Sequence, residues 1–166
     1  LKNRLDSRTI KINDPIYGKK KTYKAFSLKE VFDLVYDNEW KADKYSDISF
    51  HAKDGYEAVS DIPKLKEGGG YLVFRDIEYE NWEPIGDKQA DPSPFYVVWE
   101  GKNQKAENGY PWPWQLETIN LILFRDKYPE VYPQGISEDS SVYQGFEMFK
   151  HRCMRCHSIN RQGGKV

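Results

Sequence analysis

The feature that most constrains the fold is a succession of short apolar segments, each closed by turn-forming residues, from residue 8 to residue 124. Residues 8–12 (RTIKI) alternate apolar and polar as a half-buried strand does. Asp14 and Pro15 open a turn, Gly18 fits a hairpin connection, and 21–26 (KTYKAF) returns as a second strand. Ser27 caps a helix, with Glu30 at the capping-box position and Leu28, Val31, Phe32, Val35 and Tyr36 on the apolar face. Residues 48–52 and 56–59 flank the turn Lys53-Asp54-Gly55, and 60–63 begins a short helical or turn segment. Gly68-Gly69-Gly70 is expected to be a flexible break. Strands follow over 71–76, 95–99 and 114–124. Trp82, Pro84, Gly86, Pro92 and Pro94 make the stretch between the first two of these a long loop. Short strands dominate and helices are few, so the class is α+β with a mixed sheet. Phe74, Phe95, Val97, Trp99, Ile119 and Leu121 are expected at or near the core centre.

The only two cysteines stand in Cys153-Met154-Arg155-Cys156-His157. C-x-x-C-H is the attachment signature of a c-type haem. Two thiols at this spacing can each form a thioether to one haem edge, and His157 can then turn its imidazole onto the iron. Three other readings compete. A thioredoxin-like pair would open a helix after a strand, whereas this pair follows a helical pattern. Zinc needs about four ligands, and only His151 and His157 are near. The pair can also be a structural disulfide or two inert thiols.

The residues before the motif bear on that choice. Residues 137–141 supply N-cap candidates and acidic first-turn residues, and Val142, Gly145, Phe146, Phe149 and Cys153 recur at helical spacing. Gly145, Phe149, Cys153, Cys156 and His157 together resemble the first helix and haem motif of class I cytochromes c. The resemblance implies a haem c held by Cys153 and Cys156, with His157 as axial ligand. Met148 and Met154 are poorly placed as a sixth ligand. Residues 133–166 are thus expected to be the N-terminal part of a cytochrome c domain that is truncated, processed or visible only in part, with the stretch after about 150 poorly packed unless haem is bound. Haem attachment of this kind takes place outside the bacterial cytoplasm, so the resemblance also implies a periplasmic or otherwise extracytoplasmic protein.

A second resemblance covers residues 8 to 124. Asn13-Asp14-Pro15-Ile16-Tyr17, Tyr23 to Leu28, Phe50 to Tyr56, Tyr71 to Phe74 and Pro94 to Trp99 follow in an order similar to molybdopterin-binding domains of the sulfite oxidase type. The expected domain is 1–132. Members of that family bind molybdenum through a cysteine, and no cysteine precedes Cys153. Clustered Arg and His to grip a pterin phosphate are missing too, and Ala25 replaces a frequent Gly. The expectation is therefore a domain without molybdopterin and with no catalytic residues, serving as a docking or scaffold module for electron transfer to redox partner proteins. A catalytic N-terminal domain feeding the haem and a non-redox binding module are the alternatives.

Charge adds little direction. Lys and Arg number 25 against 26 Asp and Glu, which suggests no nucleic-acid partner, and no apolar run is long enough to span a membrane. Lys19-Lys20-Lys21 reads as a solvated hairpin tip, Glu78, Glu80 and Glu83 as solvated loop carboxylates, and His51 as a structural histidine. Tyr110-Pro111-Trp112-Pro113-Trp114 is a stiff extended segment whose rings either plug the core or offer a flat apolar surface to a partner or ring ligand.

Overall fold

A computed structural model describes residues 3–164. Strands β1 (Arg8–Asp14), β2 (Lys19–Ser27), β5 (Gly70–Asp76) and β6 (Tyr96–Trp99) form one sheet in the order β1-β2-β5-β6. Strands β3 (Asp47–Ala52), β4 (Glu57–Asp61) and β7 (Leu116–Ile122) form a second, in the order β4-β3-β7. Every pairing in the two sheets is antiparallel, so the α+β class holds while the expected mixed sheet is corrected. The tight β1–β2 and β3–β4 connections leave those two pairs only the antiparallel arrangement, because parallel neighbours need long crossovers. Register shifts at Lys24/Ala25 and His51/Ala52 curl the sheets.

Helix α1 (Leu28–Tyr36) starts at Ser27, whose Oγ accepts from Glu30 N (3.5 Å). Its Leu28, Val31 and Phe32 are buried, but Val35 is exposed and leaves the predicted inner face. The core between α1 and the two sheets holds Tyr23, Phe26, Trp40, Ile48, Phe50, Val73, Tyr96 and Leu116. Val97 and Trp99 lie in it as expected, while Phe74, Phe95, Ile119 and Leu121 are only partly buried against it. After the short α2 (Ile62–Lys66), the glycine triplet is an ordered turn: Gly68 and Gly69 take positive φ, and Gly70 enters β5. A Cβ at Gly70 would lie 2.7 Å from the Trp99 ring, so a larger residue would collide there.

The Lys19-Lys20-Lys21 stretch is not a hairpin tip. It belongs to β2, and the turn lies before it. Lys21 is fully buried, 2.6 Å from both Asp76 Oδ2 and Glu83 Oε2. Glu83 also takes Lys19 at 2.7 Å, so the loop after β5 is pinned by charge, and its Glu83 is not a free surface carboxylate. The sequence reading took Lys21 as solvated, because its partners lie more than fifty residues away.

The predicted last strand ends early. Phe124 leaves β7 and begins the short α3 (Phe124–Lys127), where Ser46 Oγ accepts from Phe124 N (2.9 Å). A second apolar cluster follows, made by Val59 of β4 with Phe124, Tyr128, Val131, Phe146 and Met154. It brings helix α4 (Ser141–Met148) and the cysteine motif onto the back of the β4-β3-β7 sheet.

Candidate functional site

Helix α4 begins where Ser140 Oγ accepts from Tyr143 N (3.2 Å), one of the caps the sequence offers. The helix widens into a π turn over Phe149–Cys153, closed by Met154 N donating to Phe149 O at 2.8 Å. Phe146, Lys150 and Met154 are all buried. Steps of four residues overshoot an α-helical turn, and the wider π turn takes that rotation back. The three residues therefore stay on one inward face.

The motif loop turns directly after this. Cys156 N (2.9 Å) and His157 N (2.8 Å) both donate to Cys153 O, which wraps the five residues into one tight loop. Met154 points into the second core and is 4 % exposed. Cys153, Cys156 and His157 are all exposed, and both thiols are free. Strands β8 (Ser158–Ile159) and β9 (Gln162–Gly163) then fold the chain back, and Gly164 N donates to Met154 O (2.7 Å) and His157 O (3.1 Å). A Cβ on Gly164 would lie 2.7 Å from Arg155 O, so this close backbone approach requires glycine.

The structure corrects the expectation that the chain after about 150 is poorly packed. Met154 fills the apolar cluster, and Lys150 and His151 anchor the segment by charge. Lys150 Nζ lies 3.1 Å from Asp47 Oδ1, 2.7 Å from Asp61 Oδ1 and 3.2 Å from Glu147 Oε1. His151 Nε2 lies 3.1 Å from both Asp61 Oδ2 and Glu147 Oε2. Lys64 adds a further contact to Asp61. Asp47 and Asp61 sit at the paired ends of β3 and β4, so α4 is tied to the sheet by residues remote in sequence.

The electrostatics of this cluster follow from burial and pairing. Burial would raise the Asp61 carboxyl, but the hydrogen bond from His151 and the Lys150 charge outweigh it and hold it below the usual range. Burial dominates at Asp47 and raises its carboxyl despite Lys150. For His151, burial disfavours the charge, yet the hydrogen bonds to Asp61 and Glu147 prevail and raise its pKa. Asp61, Glu147 and His151 place ligand atoms within 4.8 Å of one another, close enough for a metal ion. Lys64 and Lys150 already supply positive charge to the same carboxylates, so the group reads as a compensated ionic cluster.

Sequence reasoning passed over Asp47, Asp61, Glu147 and Lys150, and weighed His151 only as a zinc ligand. Their i, i+3 and i, i+4 spacing in α4 is visible in the sequence, but the two aspartates are not linked to it by any local pattern. Tyr56 was also missed as a neighbour of the motif. Burial raises its hydroxyl pKa, while a hydrogen bond with Arg155 opposes that rise, and Cys156 lies near. His51 is held by Ser49 Oγ at 3.0 Å and Lys127 Nζ at 3.2 Å, as a structural histidine would be. Tyr110, Pro111, Trp112 and Pro113 are buried, with Tyr110 OH donating to Glu67 Oε2 at 2.6 Å, so this segment mainly plugs the core. No helix among the described residues is long and apolar enough to cross a membrane.

No protein-family model and no curated protein matches the chain.

Proposed function

We propose that this protein is an electron carrier of the periplasm or another extracytoplasmic space, with one c-type haem joined to Cys153 and Cys156 and ligated by His157. The observation that carries the reading is the division of the motif. Met154 is buried as the loop's anchor, while both free thiols and the imidazole face outward, open to a large planar group. Such an arrangement fits covalent attachment better than a buried disulfide or a four-ligand zinc site. Beside the motif, Gly145 and Val142 of α4 are exposed, and a Cβ on Gly145 would meet nothing within 4 Å. That open face suits contact with a further element or partner.

When bound, the haem supplies a reversible one-electron couple at its iron. The chain's residues hold its edge, and Lys150, His151 and Met154 fix the attachment loop to the sheets. Residues 1–132 act in this reading as a docking or scaffold module without molybdopterin, because no thiolate is available there to ligate molybdenum. The partners are redox proteins on either side of the transfer.

The test is to express the protein with a haem-maturation system, extract with acid acetone and record a pyridine haemochrome spectrum. Haem that stays with the polypeptide, with the mass raised by one haem, is expected. Haem that extracts fully, or an unmodified mass, overturns the proposal. Molybdenum and pterin assays on protein from a molybdopterin-making host separate the scaffold reading from a catalytic one.

A further inference from the structure

The outer face of the β1-β2-β5-β6 sheet gathers positive charge that the haem reading does not use. Alternation along β1 turns Ile10 and Ile12 into the core and leaves Thr9, Lys11 and Asn13 on the opposite face. Along β2 it buries Lys21 and Tyr23 and turns Lys20, Thr22 and Lys24 outward. The strand register assembles these side chains. Lys24 lies between Thr9 of β1 and Arg75 of β5, Lys11 lies opposite Thr22, and Asn13 lies opposite Lys20. Paired residues share a face, so Lys11, Lys20, Lys24 and Arg75 form one basic surface across three strands, with no acidic residue among them.

This charge is uncompensated. Lys24 and Arg75 stand directly opposite each other, which is destabilising for like charges. None of the four cations has an ion pair among the described residues. Elsewhere Lys19, Lys21, Lys64, Lys127 and Lys150 each meet a carboxylate. The chain has 26 acidic residues, yet it sends none to neutralise this face. Glu80 shares a small pocket with Arg75 without pairing to it.

A pocket of about 250 Å³ opens beside Lys24 and Arg75, lined also by Ser7, Phe26 and Phe74. The two phenyl rings stack at 4.7 Å, so the site sets two cations and a hydroxyl against an apolar wall. It is smaller than a drug-sized site but has room for a phosphate headgroup. Ile77 N donates to Thr22 O at 3.0 Å, which extends the β2–β5 register by one residue. Its side chain, 45 % exposed, therefore lies on the same face as Arg75.

The composition of the face selects its partner. Single-stranded nucleic acid needs rings for its bases to stack on, and the outward positions of β1 and β2 from Thr9 to Asn13 and from Lys20 to Lys24 hold none. Protein interfaces are depleted in lysine, whereas three of these four cations are lysines. Basic side chains spread over a surface, with an exposed apolar group among them, match the phosphates and acyl boundary of an anionic bilayer.

We propose that this face docks the protein on an anionic lipid bilayer, with Lys24 and Arg75 taking one phosphate headgroup and Lys11 and Lys20 its neighbours. The net charge of the whole chain, -1, supplies no such attraction, so it is local to the face. The motif loop packs on the other sheet, and docking does not depend on haem.

The test sediments the whole chain with vesicles of phosphatidylcholine, alone or mixed with phosphatidylglycerol. Saturable binding to the mixed vesicles only is expected, weakening as salt is raised. Lys11→Gln, Lys20→Gln, Lys24→Gln and Arg75→Gln should each lower the partition coefficient roughly fivefold, the usual worth of one basic residue at an anionic surface. Circular dichroism checks that the four variants stay folded, as surface changes of this kind do. Lys53→Gln removes the same charge from the β3–β4 turn and should leave binding unchanged. No binding to the mixed vesicles, equal binding to phosphatidylcholine alone, or an equal loss in Lys53→Gln and the four face variants each overturns the proposal. Binding of polyglutamate in place of vesicles would give the face to an acidic protein instead, and binding of a thymidine oligonucleotide would give it to nucleic acid.

Discussion

Replacing Lys150 by methionine should be among the most damaging single changes outside the apolar cores. The Lys150 side chain is 7 % exposed and its ammonium touches three carboxylates. Asp61 would keep Lys64 and His151, and Glu147 would keep His151, but Asp47 has Lys150 as its only cationic contact among the described residues. Asp47 is 2 % exposed, so the variant leaves one uncompensated charge in the interior. Removing one partner of a buried pair costs about 3–5 kcal/mol. For a chain of this size that is a fall in melting temperature of roughly 6–20 °C. The cost should depend on pH. Without Lys150, the Asp47 carboxyl, already raised by burial, rises further. A group whose folded pKa lies above its unfolded value, about 3.9 for Asp, favours folding below that value and loses the contribution as pH rises through the folded pKa. The difference between Lys150→Met and the parent should therefore be largest near neutrality and shrink toward acid. Adding Asp47→Asn should recover most of the loss. Urea unfolding of the full chain at several pH values measures all three. A cost under about 1 kcal/mol at neutral pH that does not change with pH would refute the reasoning, since it would mean that the charge is not buried in solution.

Four further outcomes follow from the same geometry. His151 has a raised pKa, so its contribution is fully present below the ordinary histidine value and is lost as pH climbs through the raised one; His151→Gln should flatten that part of the stability–pH curve in thermal melts. Met154→Ala opens the second core beneath the motif and should cost about 2–5 kcal/mol in urea unfolding, whereas Cys153→Ser with Cys156→Ser, both exposed, should change stability by less than about 0.5 kcal/mol each while abolishing covalent haem in a mass spectrum. Gly164→Ala would press a methyl group into Arg155 O and the Cys156 backbone, and should cost about 1–3 kcal/mol and lower the yield of haem attachment under maturation.

The ionic cluster and the second apolar cluster make the attachment loop a part of the folded body. Phe146 and Met154 bind it to Phe124 and Val59, and Lys150 binds it to the ends of β3 and β4. The Tyr128 hydroxyl donates to Glu57, and Lys127 reaches the same carboxylate at 2.5 Å, which fixes α3 to β4 on the same side. A group joined to Cys153 and Cys156 would thus sit on a loop held against the β4-β3-β7 sheet.

What could be read from the chain alone are features made by neighbours in sequence. The caps at Ser27 and Ser140, the β1–β2 and β3–β4 hairpins and the C-x-x-C-H loop each close through hydrogen bonds between neighbours in sequence, so composition and spacing express them. Lys21 could not be read in this way, nor could Lys150, because a lysine reads as solvated until the fold brings carboxylates from distant strands to it. Val35 failed for the opposite reason: helical period predicts a face, but how wide that face is depends on what packs against it. The Trp112 Nε1–H, buried with no acceptor, is likewise a product of packing. Its sequence neighbours explain a stiff aromatic segment, yet only the long-range arrangement of β1, β6 and the loop after it makes a cavity wall of that ring and leaves its N–H unpaired. Local bonding is written in adjacent residues, whereas the burial of charge and the vacancy of a donor are settled by contacts between elements far apart in the chain.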